Sequence, residues 1–284
     1  MSVARALGRS TVADALDSAV IALTAAGCDS PRLDAELLLA EALGVGRAAL
    51  IADPGRGIDP GPARRFAELA RRRREREPVA YILGRKGFRT IELEVDGRVL
   101  IPRPETEHVV EAALDLPAGA RVADVGTGSG AIALALKAER PDLAVLATEA
   151  SAGALAVARA NARRLRLEVD LREGDLLDPV DGPLDAVLSN PPYVADRDVR
   201  ALAPEIARYE PAEALLAGAD GLAVLRRLIP AAAARGAQLL VLEVGEGQAQ
   251  AVAGLVRAAG YPEVEVRRDL AGIERVVVGR GEPA

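Results

Sequence analysis

The fold is decided by one short stretch, Ser189-Asn190-Pro191-Pro192-Tyr193-Val194, which follows the apolar run 184–188. The apolar run predicts a short buried strand. Two consecutive prolines have no N–H to donate to a sheet, so the strand must end there. The side-chain carbonyl of Asn190, the backbone carbonyl of Pro191 and the ring of Tyr193 then stand at the carboxyl end of a strand, where open α/β sheets bind ligands. Taken alone, the stretch also fits a proline-rich turn with a capping Asn.

Composition limits the classes of protein to consider. The chain of 284 residues is long enough for two domains, and its 50% apolar residues can form a sizeable core. Its net charge of -6 argues against bulk electrostatic affinity for nucleic acid, so we expect no direct nucleic-acid partner. The single cysteine, Cys28, excludes an intramolecular disulfide and a cysteine-based metal cluster, and we interpret it as a small core residue.

The chain shows no targeting or membrane signal. Its first residues lack a basic region followed by an unbroken apolar stretch, so we predict no signal peptide. No apolar run approaches the ~18 residues that a membrane span needs. We therefore expect a cytoplasmic protein, acting as a monomer, with no membrane association.

Residues 1–78 predict a small helical bundle, because apolar residues recur at helical spacing between short turns. This segment carries no catalytic constellation, which indicates a partner-docking domain. The arginine-rich run 71–76 could suggest nucleic-acid binding. Glu68, Glu75 and Glu77 lie among these arginines at helical spacing, however, and favour a solvated helix face that pairs with itself.

The rest of the chain predicts a linker and an α/β domain. In the linker, 79–104, the turn pair Asp96-Gly97 between two apolar runs predicts a β-hairpin. From 105 to 284 strands and helices alternate, which is typical of a Rossmann-like, mostly parallel sheet of seven strands. The predicted strands are 121–125, 143–148, 167–171, 184–189, 238–243, 263–267 and 275–279.

A glycine loop follows the first of these strands and supplies the second candidate site. It comprises Gly126-Thr127-Gly128-Ser129-Gly130 and opens a helix. Glycine is needed where a backbone turns tightly and where a ligand lies against it. Asp124, just before the loop, can receive hydrogen bonds from the loop or from a bound amino group. Glu149, at the end of the next strand, is placed to bind ribose hydroxyls.

The loop alone does not identify the cofactor. Gly126-x-Gly128-x-x-Ala131 also fits the fingerprint of nicotinamide dinucleotide enzymes, and both interpretations imply an adenosine ribose. The Asn-Pro-Pro-Tyr sequence separates them, because it suits a methyltransferase that acts on a planar nitrogen. Asp175 could accept a hydrogen bond from an adenine amino group, and Leu176 could cover the adenine face. As single residues, Asp175 and Glu149 also fit an ordinary turn acid and a helix N-cap.

Two further stretches complete the set of motifs: Ile101-Pro102-Arg103-Pro104-Glu105-Thr106-Glu107 and Arg208-Tyr209-Glu210-Pro211. The family resemblance that they carry covers essentially the whole chain, including the helical N-terminal domain. The sequence resembles the release factor glutamine methyltransferases. That family uses S-adenosylmethionine to methylate the side-chain amide nitrogen of the glutamine in the Gly-Gly-Gln motif of peptide chain release factors. The resemblance therefore implies S-adenosylmethionine as cofactor, S-adenosylhomocysteine as product, and class 1 release factors as partners.

The resemblance also implies roles for individual residues. It places the glycine loop, Glu149 and Leu176 around the cofactor, and residues 190–193, Pro192 included, at the substrate glutamine. It implies that Phe88 walls the pocket near the transferred methyl group and that Arg103 contacts substrate. Three positions depart from the family pattern. The family commonly has an aromatic residue after the Phe, where this chain has Arg89. It often has Asp at position 149 and an aromatic at position 176, where this chain has Glu149 and Leu176.

We expect the Asn190 oxygen and the Pro191 carbonyl to accept the two N–H groups of the substrate amide, with Tyr193 packed on the amide plane. We expect no metal, and His108 is interpreted as a helix-surface or packing residue. Alternatives from the same motifs are a glutamine methyltransferase acting on a ribosomal protein and an adenine N6 methyltransferase of nucleic acid. A nicotinamide dehydrogenase and a cofactor-binding protein without chemistry are weaker alternatives.

Overall fold

The computed structural model describes residues 10–281. The chain divides into two compact units, Met1–Gly84 and Arg85–Ala284. The three-part division predicted at residues 78 and 104 stays a prediction. Among residues 10–281, no helix combines the length and apolar character needed to cross a membrane.

The first unit contains five helices within its described residues: α1 (Val12–Ala25), α2 (Pro31–Leu43), α3 (Arg47–Ala52), α4 (Pro60–Arg74) and α5 (Val79–Leu83). Thr11 and Asp14 form a reciprocal capping box at the start of α1, and Gly44 ends α2 in the left-handed conformation. The apolar faces meet in one core that includes Cys28, as predicted for this residue. Apart from Cys28, this core consists of aliphatic residues and a single Phe, Phe66.

The arginine-rich run at the end of α4 is largely paired with acids of its own unit. Arg71 forms ion pairs with Glu68 and Glu75, and Arg72 pairs with Glu77, which confirms the self-paired helix face. Arg73 differs, because its side chain is buried and its Nε lies 2.7 Å from Asp34 Oδ2 on α2. That residue therefore holds two helices together, since a buried charge is stable only when it is paired.

The second unit begins with a β-hairpin, but not the one expected. Strands β1 (Arg85–Phe88) and β2 (Ile91–Glu94) pair antiparallel around the two-residue turn Arg89-Thr90, with Arg89 at φ 48°. The prediction of a hairpin turn at Asp96-Gly97 was wrong. Gly97 lacks the positive φ that a tight hairpin turn requires, and Asp96 instead accepts local hydrogen bonds from Arg98.

The main sheet has seven strands: β3 (Arg121–Val125), β4 (Ala144–Glu149), β5 (Asp170–Glu173), β6 (Ala186–Ser189), β7 (Leu239–Glu243), β8 (Glu263–Arg268) and β9 (Glu274–Arg280). Their spatial order is β5-β4-β3-β6-β7-β9-β8. The first five are parallel, and β9 runs antiparallel to both β7 and β8. This confirms the predicted Rossmann-like, mostly parallel sheet.

Six helices of this unit accompany the strands: α6 (Glu107–Glu111), α7 (Ala131–Glu139), α8 (Ala152–Leu165), α9 (Pro204–Tyr209), α10 (Ala223–Ala234) and α11 (Ala249–Ala258). Chain order along the sheet reverses between β3 and β6, so the connections leave these two neighbours in opposite directions. Such a switch point opens a crevice at the carboxyl ends of the strands. The glycine loop follows β3 and Asn190 follows β6, so the fold brings both predicted motifs to this crevice.

Candidate active site

The glycine loop presents bare backbone to a cavity at the sheet edge. Gly126 and Gly128 have φ of 73° and 57°, and a Cβ on either would meet no protein atom within 4 Å. Gly130 is needed for close packing instead, because a Cβ there would lie 2.6 Å from Leu134 Cδ1. The first two glycines therefore keep the cavity wall open to a ligand, and the third lets α7 begin directly behind the loop.

Asp124 lies beneath the loop, 1% exposed. Its Oδ2 accepts hydrogen bonds from Thr127 Oγ1 at 2.6 Å and from the Ala133 backbone N–H at 3.1 Å. Burial raises the pKa of this carboxyl to about 7. Of the two functions predicted for Asp124, the structure shows the hydrogen bonds from the loop. Its Oδ1 is buried with no partner among the described residues.

Glu149 ends β4 and lines the same cavity. Its Oε2 accepts from the Gly128 N–H and its Oε1 from the Ser151 N–H, both at 2.9 Å. The Glu149 side chain thus reaches back to the glycine loop. Each carboxylate oxygen retains a lone pair for a ligand hydroxyl. The other lining residues include Thr127, Ser129, Asn190, Pro192, Thr106 and Pro211.

Three residues predicted to bind the cofactor or wall the pocket lie outside this cavity. The Asp175 carboxylate forms an ion pair with Arg227 of α10, and its side chain is 49% exposed. Leu176 packs against the main core with φ 48°. Phe88 is buried at the end of β1 and lines neither this cavity nor the one described next. Their proposed contacts with cofactor and substrate stay predictions.

A second cavity adjoins the first. The two share three lining residues, Leu100, Asn190 and Ala214, so Asn190 stands between them. The remaining walls of the second cavity are mostly apolar. They consist of Arg103, Tyr193, Val194, Leu202, Ile206 and Leu215.

The Asn190 side chain is held from one end only. Its Nδ2 donates to Thr106 Oγ1 at 3.0 Å, whereas its Oδ1 is buried with no partner among residues 10–281. Thr106 in turn donates to Glu243 Oε2 at 2.6 Å. A buried acceptor without a donor is costly, so the Asn190 oxygen has an unmet capacity to accept a hydrogen bond.

The sequence interpretation missed Thr106 and Glu243 as members of this site. Thr106 was visible only as one letter of a motif, and Glu243 only as an acid at the end of a strand. The signal that could have identified Glu243 was its position at the end of a strand. Glu243 ends β7, which pairs directly with β6, so its side chain reaches the same sheet edge as Asn190.

The Tyr193 segment, Tyr193-Val194, is held in place by hydrogen bonds of its backbone. The Tyr193 carbonyl accepts from Gln248 Nε2 at 2.9 Å, and the Val194 N–H donates to the Leu215 carbonyl at 2.8 Å. Burial raises the pKa of the Tyr193 hydroxyl to about 12, with the nearby Glu243 carboxylate acting in the same direction. The ring therefore stays neutral at physiological pH and suits packing rather than proton transfer.

Arg103 binds Glu210 and so connects two sequence motifs. Its Nη2 lies 2.6 Å from Glu210 Oε1, and the Glu210 side chain is 1% exposed. Burial raises the pKa of Glu210, although Arg103 opposes that shift. The ion pair holds the segment that carries Pro211 and Ala214 beside the two cavities. Arg103 itself lines the second cavity, and its contact with substrate stays a prediction.

Comparison with known proteins agrees with this geometry. Residues 14–84 match the model of the PrmC N-terminal domain, and residues 106–234 match the methyltransferase small domain. The release factor glutamine methyltransferase of Rhodospirillum rubrum is 42% identical over 276 residues, covering 95% of this chain and 85% of that protein. That of Deinococcus radiodurans is 42% identical over 273 residues, covering 94% and 97%.

The chain belongs to the release factor glutamine methyltransferase family. Among solved structures, the catalytic domain of human METTL16 in complex with MAT2A 3'UTR hairpin 1 is similar with a TM-score of 0.55. It is 18% identical and the match covers 80% of this chain and 83% of that one, so the likeness concerns the fold alone.

One departure from the pattern of release factor glutamine methyltransferases is explained by packing. Arg89 donates from Nε and Nη2 to the two carboxylate oxygens of Glu139, at 2.6 and 2.7 Å. Its backbone N–H donates to Glu107 Oε1 at 3.1 Å. Arg89 thus ties the hairpin to α6 and α7, away from both cavities. His108, which faces Glu111 at 3.0 Å on α6, also lies outside them.

Within residues 10–281, no cluster of three or more His, Cys, Asp or Glu side chains is arranged to hold a metal. The first cavity instead fits S-adenosylmethionine. Its glycine backbone is open to a ligand, and the Glu149 carboxylate lines the cavity beside it.

Replacing Glu149 by Gln is expected to weaken binding of S-adenosylmethionine about 10-fold, because hydrogen bonds to a charged group are lost. Calorimetry with the purified protein measures this, and Glu149→Asp should retain more affinity than Glu149→Gln. Glu263→Gln is the matched control, since it removes one exposed carboxylate from β8 at the far edge of the sheet. Equal affinities for Glu149→Gln and the control would contradict the placement of Glu149.

Proposed function

We propose that this protein transfers a methyl group from S-adenosylmethionine to the side-chain amide nitrogen, N5, of the glutamine in the Gly-Gly-Gln motif of class 1 peptide chain release factors, and so modulates translation termination. Its relatives carry the name of this activity over nearly the whole chain. The observation that supports it most directly is the buried, unpartnered Oδ1 of Asn190 between two adjoining cavities.

The first cavity is the place for the methyl donor. S-adenosylmethionine supplies an electrophilic methyl group on a sulfonium, and S-adenosylhomocysteine is its product. The backbone of Gly126 and Gly128 lies along the cavity wall, and the Glu149 carboxylate would accept hydrogen bonds from ribose hydroxyls. Asp124 keeps the loop in shape from beneath.

The second cavity is the place for the glutamine side chain. Val194, Leu202, Ile206 and Leu215 give it apolar walls suited to the methylene groups of a peptide side chain. At its junction with the first cavity, Asn190 Oδ1 accepts one N–H of the substrate amide and the Pro191 carbonyl accepts the other. The Tyr193 ring packs on the amide plane.

These contacts address the chemical difficulty of the reaction. An amide nitrogen is a poor nucleophile because its lone pair is delocalised into the carbonyl. Holding both N–H groups orients the nitrogen, and orientation of this kind can lower a barrier by up to ~7–11 kcal/mol. Both accepted hydrogen bonds strengthen as the nitrogen gains positive charge, which is selective stabilisation of the transition state. The methylated nitrogen then loses its proton readily, so the step does not require a general base.

We also propose that the protein acts as a monomer in the cytoplasm and docks the release factor through its N-terminal helical unit. The net charge of -6 supports a protein partner over a nucleic acid, and the single cysteine is consistent with a reducing compartment.

Incubation of the purified protein with radiolabelled S-adenosylmethionine and a class 1 release factor tests this function. Label is expected on the wild-type release factor and not on a variant in which the Gly-Gly-Gln glutamine is replaced by Ala. Parallel reactions contain DNA or a ribosomal protein fraction. Preferential labelling of either would replace the proposed substrate with an adenine or with a ribosomal glutamine.

A further inference from the structure

Three polar side chains form a continuous series of hydrogen bonds behind the proposed acceptor site. Glu243 ends β7, Thr106 ends the short 3-10 turn Pro104–Thr106, and Asn190 follows β6. Glu243 Oε2 lies 2.6 Å from Thr106 Oγ1, which lies 3.0 Å from Asn190 Nδ2. Thr106 is 3% exposed and Glu243 1%, so water does not substitute for these contacts.

The available protons determine the direction of the hydrogen bonds between these three side chains. The Thr106 hydroxyl has a single proton, and an ionised carboxylate can only accept. With Glu243 ionised, Thr106 must donate to Glu243, and its lone pair must accept from a donor on Asn190. Only the NH2 end of the Asn190 amide can supply that donor. The amide oxygen must then point away from Thr106, where it is buried without a partner.

We propose that Glu243 is a positioning residue that acts through Thr106 to fix which end of the Asn190 amide faces the substrate nitrogen. This inference rests on the proposed function, in which the Asn190 oxygen accepts an N–H of glutamine. In the reversed orientation the Asn190 NH2 would face the NH2 of the substrate, and two donors would meet. The acceptor would be lost without any change in the position of the backbone.

Protonation of Glu243 is expected to remove this control. A protonated carboxyl can donate to Thr106, which frees the hydroxyl proton to turn toward Asn190. The pKa of Glu243 is raised to about 7, mainly by burial and also by the Glu105 carboxylate, while the Thr106 hydrogen bond, Arg275 and Arg103 act in the opposite direction. The Tyr193 hydroxyl, whose pKa the Glu243 carboxylate helps to raise, stays neutral over this pH range. Turnover should therefore fall as the pH drops through about 7.

The test compares kcat, the KM for the release factor and the pH profile in the full-length protein at saturating S-adenosylmethionine. Glu243→Gln keeps the shape but can present either a donor or an acceptor to Thr106. We expect its kcat to fall about 10-fold, with the fall below pH 7 abolished. Thr106→Val should lower kcat to the same extent, and Thr106→Ser should recover most of it, because the hydroxyl returns.

Two controls separate this inference from its alternatives. Asp124 also has a pKa raised to about 7, but it supports the cofactor loop, so its titration should appear in cofactor affinity and persist in Glu243→Gln. Thermal unfolding of each variant shows whether the hydrogen bonds between Glu243, Thr106 and Asn190 merely stabilise the fold. The positioning role would be overturned if both Glu243→Gln and Thr106→Val kept the kcat and the pH profile of the wild type. Absence of wild-type turnover on release factors would instead overturn the proposed function.

Discussion

Asn190→Ala is expected to lower kcat about 10²–10³-fold, the range seen when one preorganised hydrogen-bonding group of a transition state is removed. The affinity for S-adenosylmethionine should change little, because the wall of the first cavity is formed mainly by the glycine loop and Glu149. Steady-state kinetics with the release factor and calorimetry with the cofactor measure the two quantities separately.

A second variant at the same position tests the Nδ2 donor of Asn190 separately from its acceptor oxygen. Asn190→Asp keeps an oxygen but loses the Nδ2 donor that Thr106 receives. Since the Thr106 proton already goes to Glu243, a carboxylate at 190 would face an oxygen lone pair. Its kcat should therefore also be low, though the side chain is almost the same size. Near-normal turnover in Asn190→Ala would eliminate the proposed mechanism.

Most strands of the main sheet could be predicted from the sequence because they are short apolar runs bounded by turn residues, whereas β5 has the polar sequence Asp170–Glu173 and had been predicted at 167–171. The β3 bounds agree with the prediction, and β6 and β7 end where it placed their ends. The glycine loop, Glu149 and Asn190 could be found because each lies within a local motif or at the end of a strand. Their meeting at one crevice follows from the parallel sheet, whose strands end at the same edge.

The missed features depend on contacts between residues distant in sequence. Asp175 fits an adenine contact by position, but Arg227 lies 52 residues away in sequence and pairs with it. Asp96-Gly97 is a strong local hairpin signal, yet the hairpin forms at Arg89, whose side chain is held by Glu139, 50 residues away. The Thr106–Glu243 contact spans 137 residues. No local pattern carries such pairings, so the hydrogen-bonded part of the site became visible only in three dimensions.

Gly221→Ala is expected to lower kcat about 100-fold, although Gly221 lines neither cavity. At φ 77°, a Cβ on this residue would lie within 3.0 Å of the Tyr193 carbonyl oxygen and 2.5 Å from Gln248 Nε2. The added Cβ therefore clashes with both partners of the hydrogen bond between Gln248 Nε2 and the Tyr193 carbonyl, so the Tyr193 segment must move. A displacement of about 1 Å at a site of oriented reactants can cost about 100-fold in rate.

Gly236→Ala is the matched control for this prediction. Gly236 has nearly the same backbone, φ 70°, but a Cβ there would meet nothing within 4 Å. Both substitutions carry the strain of placing Ala in the left-handed region, about 1–2 kcal/mol, so their unfolding midpoints should fall alike from this cause. Only Gly221→Ala should lose turnover, with cofactor affinity retained as evidence that the sheet and glycine loop remain folded. Equal kcat values in the two variants would show that the position of the Tyr193 segment does not limit methyl transfer.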